Sequence, residues 1–493
     1  MSRAPLLPYP HTAQNTLLLC AFCGLAVGAL ALVGCGPRTE SKGPTPPSAG
    51  VKLKLAIVDD PALAGAVGKL KGEWHGQTGG DLEILPITAA EISTGKPLAW
   101  DAVICPSAQL GELAEENRIL PVPKELTDGR QTGWAETFSL LRVREAAWGN
   151  RVTAVPLGSA IFVCYYRPDL LESVGRGPPR TWQEYQELAA LLAERRAQMP
   201  SGWHAAVEPL GKGWAAVMLL ARVAAYTAHR ENDSALFHIE TMRPLIDTPP
   251  FIRALKELIA ASALGPAEAT GYDPAAVRRA FWEGKCGLAL TWPTAAAIEK
   301  KTISQAAGRA PLPVAFAEMP GSSESYSFSD KAWESRAEDD EPHVPLLAFA
   351  GRLGVVSRES KSPEAAFRLL AWLSRDRWSE LVSPVTAATT LFRTSHLKSP
   401  QLWVEPQVPG SAAGQYGSLV EKILSRSQRL MVPRIPGRTD YLAVLDEAIR
   451  EAVHGRKNPE AALSDAARRW QQITDRLGRT PQKRAYWRSL GLD

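Results

Sequence analysis

The sequence predicts an α/β chain folded as two lobes, and three observations carry that expectation. Residues 51–105 follow a strand, helix, strand rhythm, which implies parallel pairing through helical crossovers. The passage from Thr153 to Ala189 places an extended run, a Gly158-Ser159 joint, a second strand rich in β-branched and aromatic residues, and a capped helix in immediate succession. The length, 493 residues, suits two lobes at roughly 100–200 residues per domain.

Taken in order, the chain begins with an uncharged apolar run from Thr16 to Val33 that closes on Leu32-Val33-Gly34-Cys35. A small residue directly before a cysteine is the pattern of a bacterial lipobox. The Cys35 thiol would then take the lipid, and residues 1–34 would be a signal peptide removed at cleavage. An uncleaved membrane anchor is the alternative, since the run approaches the roughly 20 residues that span a bilayer. Residues 35–50 form a polar, Pro-rich tether of the kind that holds a folded body off a membrane.

Val51 to Val58 alternates Lys with apolar residues as a first strand, which Asp59-Asp60-Pro61 terminates. Asp81 to Ile87 and Trp100 to Cys105 are the next two strands. After Ile161 to Tyr166, Pro178-Pro179 blocks any helix until Thr181, where Thr181-Trp182-Gln183-Glu184 reads as a capping box opening an amphipathic helix to Gln198. Further helices are expected from Gly213-Trp214 to about Tyr226, over Phe251 to Ser262, and over Pro274 to Trp282, the last feeding a turn at Gly284 and a buried strand through Leu288 to Leu290. Ser322 to Pro345 is polar and reads as a surface insertion with mobility of its own. Ala348 to Ser357 is a Gly-containing strand, Ser362-Pro363 starts a helix, and two more begin near Gly437 and Asn458.

Composition narrows the function. With 56 Lys and Arg against 52 Asp and Glu, the near-neutral balance argues against a nucleic-acid partner. Cys20 and Cys23 have CxxC spacing but lie inside the apolar run, and Cys105, Cys164 and Cys286 are scattered in apolar settings that favour buried free thiols. The histidines show no ligand spacing, and neither a Gly-x-Ser-x-Gly elbow nor a phosphate-cradling Gly-Lys-Ser/Thr loop is present. No catalytic residue, metal site or cofactor is therefore expected. Instead there are 15 Trp against 10 Tyr and 11 Phe, an excess of the side chain whose face packs best on the CH-rich face of a sugar.

Four passages together resemble the extracellular solute-binding proteins of family 1, the maltose-binding-like receptors of ABC importers. They are Pro156-Leu157-Gly158 with its strand, Tyr166-Arg167-Pro168-Asp169 and Thr181-Trp182; Ala280-Phe281 with Gly284-Lys285; Ser360-Lys361-Ser362-Pro363-Glu364-Ala365-Ala366; and Asn458-Pro459-Glu460-Ala461-Ala462-Leu463 through Trp470. The resemblance extends from about Val51 to Thr474. It implies a two-lobed fold of the type II periplasmic-binding-protein kind, each lobe a mixed sheet flanked by helices, with about three hinge crossings. The expected division is 51–157 with 286–345 in lobe 1, and 158–285 with 346–493 in lobe 2. Crossings are expected near Pro156 to Ser159, near Cys286 and near Pro345.

The implied function is a monomeric receptor that closes on a small solute, a carbohydrate first, and presents it to a membrane permease whose ATPase is a separate subunit. A polyamine, an organic anion or a metal chelate is the alternative ligand, and presentation to a signalling receptor the alternative output. By context Trp214 matches a cleft aromatic of the family. Trp292 lies near another, with Thr294 closer to the matching position. Asp59 and Asp60 follow the first strand, where relatives place a polar ligand contact, though a helix cap is an equal reading. Ser107 and Ser159 sit at strand ends facing the expected cleft. Arg352, between two glycines, pairs either with an anionic ligand or in a salt bridge at the hinge.

Overall fold

The computed structural model describes residues 48–129, 133–296 and 312–492. The lipobox at Cys35, the signal segment 1–34 and all but the end of the tether 35–50 lie outside the described residues.

Nine strands build two sheets: β1 (Lys52–Val58), β2 (Asp81–Ile87), β3 (Ala102–Pro106), β4 (Val155–Pro156), β5 (Val163–Tyr166), β6 (His204–Val207), β7 (Cys286–Thr291), β8 (Ala315–Glu318) and β9 (Arg352–Val356). The first sheet runs β2-β1-β3-β9-β4 and the second β8-β5-β7-β6. β1 is parallel to β2 and β3, whereas β9 is antiparallel to both β3 and β4. The Lys-apolar alternation of β1 does what alternation requires: Lys52 and Lys54 are exposed, Leu53 and Leu55 buried. Lys52 also pairs with Glu83 on β2 at 3.1 Å.

Each sheet is covered on both faces. In the first, Leu53, Leu55 and Ile57 pack on Leu63, Val67 and Trp74, while Ala56 and Val58 face Leu110 and Leu113. In the second, Cys164, Leu288 and Leu290 meet the helices Ala215–Thr227 and Pro249–Ser262, and Val163, Tyr165 and Ala289 meet Phe281, Trp403 and Tyr416. The helix Ala215–Thr227 is buried along its whole length, as an apolar-all-round helix must be. Its one charge, Arg222, is answered by Glu208 at 2.9 Å and lies 4.1 Å from the centre of the Trp182 ring. Among the described residues no helix is long and apolar enough to cross a membrane. Cys105, Cys164 and Cys286 are buried free thiols.

Strand pairing corrects the expected division of the lobes. β7 pairs with β5 (Cys164 opposite Leu290) and so belongs to the second sheet, not the first. β9 pairs with β3 (Leu353 opposite Cys105) and so belongs to the first, not the second. Cys286 therefore marks no crossing. All six residues of β7 are buried, and a strand with two apolar faces carries no mark of which sheet it joins. The chain crosses between the sheets at 157–162 and 348–351, and passes again from the core of the first lobe (Val382) to that of the second (Leu391) at 383–391, a segment with no strand or helix periodicity to announce it.

The segment Ser322 to Pro345 is also corrected, from a mobile insertion to a docked hairpin. Glu324–Ser327 pairs with Ala332–Ser335. Trp333 packs edge-on against Tyr226 and Tyr326 (5.5 and 5.3 Å), and Arg253 lies 4.8 Å from both the Tyr226 and the Trp333 rings. Two aromatic residues within a polar stretch suffice to anchor it. At the capped helix, Thr181 accepts from Glu184 N–H at 3.1 Å as expected, but Glu184 reaches one residue further back, to the Arg180 N–H at 2.7 Å.

At the crossings the backbone is tightly constrained. Leu157 N–H donates to Arg352 O (2.9 Å), Arg352 N–H to Gly158 O (2.8 Å) and Ala160 N–H to Ala388 O (3.1 Å), so all three segments are bonded together. Gly158 and Gly351 sit at φ +118° and +113°. A Cβ on Gly351 would lie 2.5 Å from Ser107 Oγ and 2.8 Å from Ser159 Oγ. Gly351→Ala is expected to lower stability by about 2–4 kcal/mol, strain and overpacking together. Gly175→Ala, at φ +67° with open space around it, should lose only about 1 kcal/mol. Urea denaturation midpoints of the two variants check the difference.

Candidate functional site

Around the three crossings the structure gathers the expected site residues into a polar group and an aromatic group. The polar group is built on Asp60, the N-cap of the helix Pro61–Lys69. Its Oδ1 accepts from Leu63 N–H at 3.0 Å, and its Oδ2 from Arg352 Nε at 2.9 Å and from the Thr386 hydroxyl at 2.5 Å. Arg352 adds a second nitrogen at 2.8 Å and donates to Gly351 O at 3.0 Å. Asp60 and Arg352 are both buried. The cap and the hinge salt bridge thus both exist, and the pair leaves neither charge turned out to a solute.

Ser107 and Ser159 are fully buried beneath Gly351. Ser159 Oγ donates to Glu145 Oε1 at 2.9 Å. Burial pushes the Glu145 carboxyl up to about 7, against the opposing pull of the two serine hydroxyls and the Arg434 charge. Two expected residues stand apart from both groups. Asp59, exposed and at φ +48°, accepts from Ala89 N–H at 3.1 Å. Thr294 is buried and accepts from Ala296 N–H at 3.2 Å.

The aromatic group is a nest of four rings. Phe162 stacks on Phe349 at 4.6 Å and stands edge-on to Trp292 at 5.2 Å and to Trp214 at 6.4 Å. Trp214 and Trp292 lie 5.7 Å apart. The two tryptophans differ in their availability. Trp292 is buried, gives its indole N–H to Ala387 O at 2.7 Å, and carries Arg278 5.3 Å from its ring centre. Trp214 is half-buried at the start of the helix Ala215–Thr227, and its indole N–H has no partner among the described residues. Phe349 is likewise half-buried. Phe162, Phe349, Glu145 and Thr386 were not singled out in the sequence. The first two sit in runs that read as strand and crossing, and nothing local distinguishes the others.

Among the described residues one cluster has metal-ligand chemistry, Glu318, Glu341 and His343. Its carboxylates are already neutralised: Lys422 lies 2.9 Å from Glu318, and Arg426 pairs with Glu318 and, at 3.0 Å, with Glu341. His343 Nδ1 is 2.8 Å from Met319 O. Two cations occupy the place a metal would need, and the cluster is an ion-pair network.

Residues 87–380 match the model of the bacterial extracellular solute-binding proteins. The chain belongs to that family. Solved structures agree on the fold. MalE from Xanthomonas citri superposes with a TM-score of 0.65 at 16% identity, covering 87% of this chain and 98% of its own. A solute-binding protein of an ABC transporter from Agrobacterium radiobacter, in complex with ribitol, gives 0.63 at 18% identity over 87% of this chain and 100% of its own. Maltose-bound MalE3 from T. maritima gives 0.62 at 19% identity over 86% and 100%. The two-lobed α/β architecture and the receptor class expected from the resemblance are those of this solute-binding protein.

Glu145 supplies a test of the hinge. A carboxyl whose folded value, about 7, exceeds its unfolded value favours folding at low pH, and that contribution is lost as pH rises from about 4.5 through 7. Glu145→Gln keeps an acceptor for Ser159 and does not titrate. Relative to the parent it should gain on the order of 3 kcal/mol between pH 4 and pH 8, read as the difference between their urea-derived stabilities. A difference that stays flat across that range would sink the assignment.

Proposed function

We propose that this solute-binding protein is the receptor of an ABC importer, that its ligand is a carbohydrate or polyol, and that it closes by bending at the three crossings. The observation that carries the ligand class is the half-exposed Trp214, its indole N–H without a partner among the described residues, beside Phe349 on a nest of rings. Such a surface offers an apolar face to sugar CH groups and a donor to a hydroxyl. Similar folds in complex with maltose, ribitol, D-mannitol and α-D-tagatose support the same reading. The solute shifts the chain toward closure only through contacts made in the closed state. The receptor acts as a monomer, needs no cofactor, catalyses nothing and is held at a membrane by lipid on Cys35.

Thermal shift against a panel of sugars, polyols, polyamines and organic anions tests the ligand class. A bound sugar at 100-fold excess over its Kd should stabilise the protein by about 2.7 kcal/mol. Trp214→Ala should abolish that shift while leaving the ligand-free Tm in place. If a polyamine or an organic anion shifts melting and no carbohydrate does, the carbohydrate reading fails.

The anchor is tested separately. In a bacterial host the parent should partition with membranes and take up labelled fatty acid, and Cys35→Ser should lose the label. A Cys35→Ser chain that is still labelled would remove Cys35 as the attachment point.

A further inference from the structure

Away from the hinge a cavity of about 350 Å³ opens between the end of the helix Ala215–Thr227, the segment 427–434 and the last helix, Arg479–Leu490. Its wall carries Arg230, Arg429 and Arg434 against one acid, Asp233. Arg429 is half-buried, and its one hydrogen bond among the described residues is to the backbone, Nη1 to Ser427 O at 2.9 Å. Arg434 is buried and held by the carbonyls of Glu145 (2.8 Å), Arg144 (3.3 Å) and Ala147 (3.5 Å), while its Nε–H has no partner. Among the described residues, neither these two nor Arg144 forms a salt bridge with a carboxylate.

Arg429 feels the charge of Arg144, and Arg434 that of Arg429. Burial, and then the charge of Arg144, bring Arg429 down to about 10. Burial brings Arg434 to about 10 as well; Glu145 opposes this and Arg429 adds to it. The groups also come from opposite sides of the seam between the sheets. Arg144 precedes the hairpin Ala147–Trp148/Arg151–Val152, which is bonded to the first lobe through Val122 N–H and Val152 O at 2.9 Å. Arg429 and Arg434 flank Leu430–Met431, which pairs with Leu346–Leu347 in the second.

Partly desolvated arginines on a cavity wall, with no carboxylate partner among the described residues, are a standing unfavourable term that an anion relieves. Guanidinium forks match the oxygens of a phosphate group in particular. The exposed side chains of Ser427 and Gln428, on the same wall, form no hydrogen bond among the described residues and add neutral donors. We propose that this cavity is a second ligand site, distinct from the solute site, for a small soluble oxyanion of the phosphate class, gripped by Arg429 in the field of Arg434 and Arg144. An anion held there bridges positive charge from both lobes and so favours the closed seam.

Calorimetric titration of the sugar-free protein with inorganic phosphate, at ionic strength held constant with chloride, tests the site. Phosphate should bind saturably and raise Tm. Arg429→Gln should weaken binding at least tenfold and leave the phosphate-free Tm unchanged or higher, because a repulsion is removed. Arg144→Gln should weaken it to a lesser degree, and Arg468→Gln, on a remote exposed surface, should not alter it. Glycerol 3-phosphate binding in the same way would assign the site to phosphate esters as well as to free phosphate. Chloride matching the phosphate effect, or Arg429→Gln retaining the parent's affinity, overturns the proposal. No sugar enters this experiment, so its outcome is independent of the carbohydrate test.

Discussion

The buried pair of Asp60 and Arg352 is the contact on which the hinge depends. Asp60 belongs to the first strand-to-helix turn, Arg352 to the strand that returns from the second lobe, and Thr386 to the last crossing. One carboxylate thus ties the first lobe's sheet to two of the three segments that leave it. A buried ion pair gains little over an apolar contact, because desolvation offsets most of the attraction, yet removing one partner costs about 3–5 kcal/mol. Its value here is positional. Every Asp60 oxygen is engaged and all three Arg352 nitrogens have partners, so the place where the crossings meet is fixed.

How much of this was legible depends on whether the signal was local. The helix starting at Thr181, the strand β5 and the alternating Lys-apolar β1 each follow from periodicity and capping within a few residues, and the structure has them. The partnering of β7 and β9 was not legible, since both are buried on two faces and their register is set by strands far away in sequence. The third crossing was missed for a related reason. Residues 383–391 take their shape from bonds to Ala160, Trp292 and Asp60 and from Ser383–Thr389 contacts among themselves, not from a strand or helix periodicity.

The site shows the same split. Asp60, Arg352, Ser107, Ser159, Trp214 and Trp292 do converge at the crossings, because strand ends in an α/β sheet converge there. The sequence had no means of telling which would be consumed by the hinge. Trp214 and Trp292 look alike in sequence context, and they diverge only because Ala387 O lies within reach of the second indole. The buried polar group frames the crossings, and Trp214 and Phe349 keep part of their ring surface uncovered.

The seam itself bears on how much a solute must contribute. The last helix reaches the first lobe through Arg488, which pairs with Glu115 at 3.1 Å and accepts at its carbonyl from Gly149 N–H at 3.0 Å. Trp148 gives its indole N–H to the same Glu115 at 2.7 Å, and Arg438 approaches Glu112 at 3.5 Å. Gly111 is pressed so closely to the carbonyl of Arg434 that a Cβ would lie 2.0 Å from it. These contacts join the lobes directly, and they are made only when the lobes meet. Moving a two-state equilibrium from 1:99 to 99:1 takes about 5.5 kcal/mol of differential binding. Each seam contact shifts the starting ratio toward closure and reduces the part the solute must provide, whereas the unrelieved repulsion of Arg144, Arg429 and Arg434 shifts it back. On this account the resting balance between open and closed forms is set by charges at the seam, remote from the ring surface proposed for the solute.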